Sequence, residues 1–240
     1  SELVVGLKCG GSDGLSGITA NPAVGRFSDM LVAQGGSTLL TEVPEMFGAE
    51  TVLLNRCRSE EIFRKASDML NGFKNFFLKN GQPVYENPSP GNKEGGITTL
   101  EDKSCGCVQK GGTALVVDVL DYGEPLRERG LNLLYGPGND LVSSTALAAS
   151  GAHMVLFTTG RGTPFGAPVP TVKIASNHHL AARKARWIDL DMGSVVDGES
   201  LEDAGTRILD YVLAVAGGQQ TCSEQMGFRE ISILKDGVVL

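Results

Sequence analysis

The sequence predicts an α/β fold: a mostly parallel sheet flanked by helices, in a Rossmann-like three-layer arrangement. Short apolar runs recur along the chain, several continuous rather than alternating, as suits strands buried on both faces. Segments of helical periodicity lie between them, which is the order of βαβ units. The 32 glycines are uneven, and their clusters Cys9 to Gly17, Asn87 to Gly96 and Thr158 to Gly166 fall where strands should end. Glycine permits positive φ and close backbone approach, so such loops suit the wrapping of a polar or anionic ligand.

Taken in order, the first strand is Leu3 to Leu7, running into the glycine-rich loop at Cys9 and then a helix. A strand that ends in glycines before a helix N-terminus places free N–H groups, a thiol and a carboxylate at one sheet edge, where α/β proteins put ligand sites. Further strands are expected at Thr38 to Thr41, Ala114 to Leu120, Leu131 to Tyr135, His153 to Thr158 and Thr171 to Ala175. The clearest helix spans Ser59 to Leu78. There Ile62, Phe63, Ala66, Met69, Leu70, Phe73, Phe76 and Phe77 recur at helical spacing, and Ser59 before Glu60 and Glu61 suits an N-terminus. Its phenylalanine stripe reads as core. Another helix runs from Leu201 to Ala216, with Ser200 and Asp203 as a capping-box pair and Gly217 and Gly218 as the stop.

Composition narrows the class. A chain of 240 residues, 41% hydrophobic, can bury one large core, and one domain over residues 1–240 is expected. A net charge of -7 argues against nucleic acid, which demands a basic surface. No apolar run approaches the length of a membrane span. Five cysteines, an odd number without paired CxxC spacing, read as free thiols in a reducing cytoplasm. The start at Ser1 without an initiating Met suggests a domain of a longer polypeptide. The G-x-G-x-x-G and G-x-x-x-x-G-K-[ST] patterns are absent, so nothing points to nicotinamide or ATP. Asp189, Asp191, Asp197 and Glu199 lack EF-hand spacing and read as turn and cap acids, and Cys105-x-Cys107 reads as packing on a helix.

Four segments carry a specific resemblance: GLKCGGSDGLSGITANPAVG from Gly6, TEVPEMFGAE from Thr41, NPSPGNKEGG from Asn87 and FTTGRGTPFG from Phe157. In this order and at these separations, with DGES at Asp197 to Ser200, they resemble the C-terminal part of the altronate and galactarate dehydratase family over nearly the whole chain. Val43-Pro44-Glu45-Met46 and Gly48-Ala49-Glu50 have the altronate-type wording. The resemblance implies a hydro-lyase that removes water from a six-carbon sugar acid to give a 2-keto-3-deoxy product. It also implies activation by a divalent metal, Fe2+ or else Mn2+, and completion by an N-terminal domain and a middle segment bearing His and Cys. A homo-oligomer is compatible with the sequence. Two alternatives stay open: a related lyase for galactarate or a sulfonated hydroxy acid, and a non-catalytic module that binds sugar acids or assembles with a partner.

Dehydration needs a base for the proton beside the carboxylate, a cation to stabilise the enediolate and an acid for the departing hydroxyl. Cys9, Asp13, Glu42 and Glu45 are the expected metal ligands, hard carboxylates with one soft sulfur. Asp13 also suits an N-cap or Asx turn, Glu42 and Glu45 a solvated turn, and Cys9 a small packing residue. Arg161 offers a planar fork for the substrate carboxylate, and Lys93 is a second cation, or the base if burial lowers its pKa. With Asp13 these form the expected catalytic set. Ser12, Asn21, Asn87, Asn92, Thr159, Gly160 and Gly162 are expected to line the substrate. His153 reads as a core or edge residue, and His178 and His179 as a helix start rather than the base.

Overall fold

All seven strands run parallel in one sheet of the computed structural model, which describes residues 2–235. They are β1 (Val4–Cys9), β2 (Ser37–Leu40), β3 (Val116–Leu120), β4 (Leu131–Leu134), β5 (Met154–Thr159), β6 (Thr171–Ala175) and β7 (Leu190–Asp191), in the order β3-β4-β2-β1-β5-β6-β7. The helices are α1 (Ala20–Ala33), α2 (Glu50–Leu54), α3 (Glu60–Lys79), α4 (Pro90–Glu94), α5 (Leu100–Val108), α6 (Asp140–Ala149), α7 (His178–Arg183), α8 (Leu201–Ala216) and α9 (Cys222–Gln225).

Alternate residues of each strand supply opposite faces, as the period of two requires. Val5, Leu7, Leu133, Leu156 and Ile174 pack with Phe27, Phe73, Ile208 and Val212 of α1, α3 and α8. Leu39, Leu134, Val155 and Phe157 pack on the other face with Ala146 and Leu147 of α6 and with Phe165. Gly6 lets α6 lie flat on β1, because a Cβ there would sit 2.9 Å from Leu147 Cδ1. These are the three layers expected.

The Ser59 and Ser200 side chains cap α3 and α8 by accepting from Ile62 N and Asp203 N. Two expectations need correction. β7 escapes the sequence reading because two residues carry no periodicity. The segment Asn87 to Gly96, read as a loop, contains α4, where Ser89 and Asn92 form a capping box and Pro90 occupies the first turn. Its proline and glycines hid a helix of one turn.

The chain leaves β1 toward α1 on one face, whereas the segment after β5 covers the other face with Phe165 and Ala167. Neighbouring strands whose exits part in this way leave a crevice at their C-terminal ends, a topological switch point.

Candidate active site

A cleft of about 820 Å³ opens at that edge. Cys9 of β1, Glu45 of the turn after β2 and Lys103 of α5 lie on its wall with Asp140 of α6. Arg161 and Gly162 after β5, and Asn87 and Asn92 around α4, line it as well. α5 approaches the first loop closely because glycines face each other there: a Cβ on Gly106 would lie 3.2 Å from Gly17 Cα. Ser104 Oγ, which donates to Phe47 O at 2.5 Å, fixes the helix on the other side.

Beneath the cleft lies a buried charged cluster. Glu42 is the one non-glycine residue with positive φ (68°) among those described, and this left-handed turn directs its carboxylate inward. Glu42 accepts from Lys8 Nζ and, at 2.9 Å, from Cys9 N, and Lys110 Nζ lies 3.5 Å away. Lys8 also pairs with Asp140 at 2.9 Å. Lys103 Nζ donates to Glu45 Oε2 at 2.5 Å and to Cys107 Sγ at 3.0 Å, with Cys9 Sγ 3.8 Å away. The two sulfurs are 3.5 Å apart.

The charges set one another. Burial pushes Glu42 up to about 7; the negative charge at Cys9 adds to this, while Lys8 and Lys110 oppose it. The Cys9 thiol is held well below its ordinary range, chiefly by the hydrogen bond with Cys107 and then by Lys103, Lys110 and Lys8, against its burial. The same hydrogen bond, together with burial, holds Cys107 well above the thiol range. Burial works against the Lys103 ammonium, but Cys107, Cys9, Glu45 and Glu42 outweigh it, so Lys103 stays a fixed cation.

The expected residues divide. Cys9, Glu45, Asn87, Asn92, Arg161 and Gly162 line the cleft, with Glu42 just beneath Cys9. Ser12, Asp13 and Asn21 line a separate cavity of about 180 Å³. Asp13 accepts from Ser16 N, Ser16 Oγ, Ser176 Oγ and Asn177 Nδ2, so its carboxylate ties loops together. Gly160 packs on it so closely that a Cβ would collide with its carboxyl carbon. Thr159 Oγ1 accepts from Gly162 N at 2.8 Å. Asn21 is occupied too, donating to Gly106 O and accepting from Thr158 Oγ1. Lys93 is a correction: it is exposed on α4 and lines neither cavity, so the burial that a lysine base needs is missing. Arg161 donates to Gly91 O at 2.8 Å and Glu94 Oε2 at 3.1 Å, bridging two of the glycine-rich segments. His178 lies between Asp191 and Asp197, and His153 Nδ1 accepts from Val4 N; neither lines the cleft.

The four expected metal ligands do not fit Fe2+ or Mn2+. Asp13 stands in another cavity with its oxygens taken, and the ammonium of Lys103 sits among Cys9, Glu45 and Cys107 where a cation would stand. Among the described residues no three His, Cys, Asp or Glu side chains converge to hold a metal ion.

Sequence reasoning missed Lys8, Lys103, Cys107 and Lys110. Two signals were present. Lys8 interrupts a strand of fully buried positions, which a lysine occupies only when paired. Lys103 and Cys107 are four apart and share one face of α5, so Cys107 is not incidental packing. Lys173 is also buried, donating to Thr163 O at 2.6 Å above the rings of Phe157 and Phe165. Burial lowers its pKa to about 8. Between about 8 and its ordinary 10.5 the unfolded chain binds more protons at this group, so stability contributed by this site rises with pH. Lys173→Met abolishes that rise, which urea unfolding at pH 8 and pH 10 measures.

The fold is that of an α/β domain with a cleft at the C-terminal edge of its parallel sheet, and sequence comparison names its kind. Residues 1–239 match the family model described as D-galactarate/Altronate dehydratase, C-terminal. The chain belongs to this family. It is 60% identical over 240 residues to altronate dehydratase of Escherichia coli K12, covering 100% of this chain and 48% of that protein. Altronate dehydratase of Bacillus subtilis 168 is likewise 60% identical over 241 residues, with 100% of this chain and 48% of that protein covered. Galactarate dehydratase (L-threo-forming) of E. coli K12 is 40% identical over 230 residues, covering 95% of this chain and 44% of that protein. The chain spans about half the length of the altronate dehydratases it matches. No helix among the described residues is long and apolar enough to cross a membrane.

Proposed function

We propose that this chain is the sugar-acid-binding catalytic part of a cytoplasmic hydro-lyase that converts D-altronate to 2-keto-3-deoxy-D-gluconate. The observation that carries the reading is one cleft presenting a fixed ammonium (Lys103), two proton acceptors (Glu45 and Cys9) and a guanidinium (Arg161). The 60% identity to two altronate dehydratases favours altronate over galactarate.

In this reading Arg161 holds the substrate carboxylate, its planar fork matching the two oxygens. The Cys9 thiolate takes the C2 proton, with Glu45 beside it on the cleft wall. Negative charge then spreads onto the carboxylate as an enediolate, and Lys103 stabilises it without moving. The C3 hydroxyl takes that proton back from Cys9 and leaves as water, and the enol becomes the 2-keto product. No step is routed through a metal, because the expected ligand set does not form. Further segments accounting for the greater length of the relatives complete the site in the full-length enzyme.

Arg161→Met tests the anchor. Loss of hydrogen bonds to a charged group, about 1.5–3 kcal/mol, raises KM for D-altronate about 10- to 100-fold. A KM unchanged in steady-state assays of the full-length enzyme removes Arg161 from the substrate.

A further inference from the structure

Cys9 and Cys107 come from distant parts of the chain, the end of β1 and the last turn of α5, yet their sulfurs lie 3.5 Å apart. A disulfide requires about 2.05 Å, an approach of roughly 1.5 Å. Cys9 borders the cleft and Cys107 the smaller cavity of about 180 Å³, so the pair lies between two solvent-filled spaces although each residue is 2% exposed. The ammonium of Lys103 touches both, 3.8 Å from Cys9 and 3.0 Å from Cys107, with Lys8 and Lys110 beside Glu42. A thiolate among fixed cations, next to a resolving thiol, is the arrangement that reacts with peroxides. The other three cysteines differ: Cys105 is exposed, while burial raises Cys57 and Cys222 above the ordinary thiol value.

We propose that Cys9 and Cys107 form a peroxide-sensitive dithiol that closes to an intramolecular disulfide at the foot of the cleft. The Cys9 thiolate attacks one oxygen of hydrogen peroxide; an S–O bond forms, the O–O bond breaks, and the departing hydroxide takes up one proton to leave as water. The Cys107 sulfur then attacks the Cys9 sulfur. An S–S bond forms, the S–O bond breaks, and hydroxide leaves as water with the Cys107 proton. In sum two thiols lose two electrons and two protons, and one peroxide becomes two waters. Closure removes the thiol that accepts from Lys103 and the sulfur that Cys9 presents to the cleft. On the reading that this cleft binds a sugar acid, D-altronate covers Cys9 and slows the oxidation; disulfide formation itself is independent of that reading.

The test treats the folded protein with equimolar hydrogen peroxide, alkylates remaining thiols after denaturation, and identifies tryptic peptides by mass spectrometry. Expected is a cross-link between the peptide of residues 9–26 and that of residues 104–110, absent after reduction with dithiothreitol. The latter peptide holds both Cys105 and Cys107, so Cys105→Ser must retain the cross-link. In Cys107→Ser the reaction stops at the sulfenic acid and dimedone labels Cys9; in Cys9→Ser dimedone leaves Cys107 unlabelled. Oxidation confined to Cys105, with Cys9 and Cys107 both alkylated, overturns the proposal, as does loss of the cross-link in Cys105→Ser. A cross-link that forms at the same rate with and without saturating D-altronate leaves the dithiol standing and counts against the substrate reading alone.

Discussion

Lys103→Met lowers kcat for dehydration of D-altronate by about 10²–10³-fold, the usual cost of removing one preorganised group that stabilises charge developing in the transition state. The ammonium is 4% exposed and held by Glu45 and the two sulfurs, so it needs no rearrangement when the enediolate forms. Arg161 still anchors the carboxylate, so KM moves far less than kcat. Lys93→Met provides the contrast: exposed and outside the cleft, it leaves turnover close to wild type. Steady-state kinetics of both variants in the full-length enzyme, with thermal melts to confirm folding, read the difference. Equal losses in the two would shift the cationic role back to α4.

Glu42→Ala carries the largest expected cost in stability, about 3–5 kcal/mol, because removing one member of a buried ion pair strands the other charge. Lys8 keeps Asp140 as a partner, but Lys110, 1% exposed, loses the carboxylate it faces, and Cys9 N loses its acceptor. Glu42→Gln retains an oxygen for the Cys9 N–H and loses less. Urea unfolding monitored by circular dichroism separates the two. A loss under about 1 kcal/mol for Glu42→Ala would place it with surface salt bridges and contradict the buried cluster.

The sheet was legible because each main strand is a short apolar run and each long helix a clear stripe, both local signals. The exits of β1 and β5 at one cleft followed from the same reading, since glycine-rich segments mark where strands stop. The charged cluster was not legible, because it joins residues far apart in sequence: Cys9 meets Cys107 across 98 positions and Lys103 meets Glu45 across 58. Only the packing of α5 on the end of β1 and on the turn after β2 makes those pairs. Asp13, open in the sequence between a ligand role and an Asx turn, was undecidable there for a related reason. A carboxylate in a glycine loop looks poised for a ligand, yet the tertiary fold brings it four donors from Ser16, Ser176 and Asn177. Lys93 carried a similar promise, which the one-turn helix α4 removed by leaving it exposed.

The central claim is that the cleft between Lys103 and Arg161 holds the sugar acid. A crystal structure of the full-length enzyme with bound D-altronate tests it most directly. The account predicts the carboxylate on the Arg161 guanidinium, with C2 directed at Glu45 and Cys9 beside the Lys103 ammonium. D-altronate bound elsewhere, with this cleft holding only solvent, would contradict it.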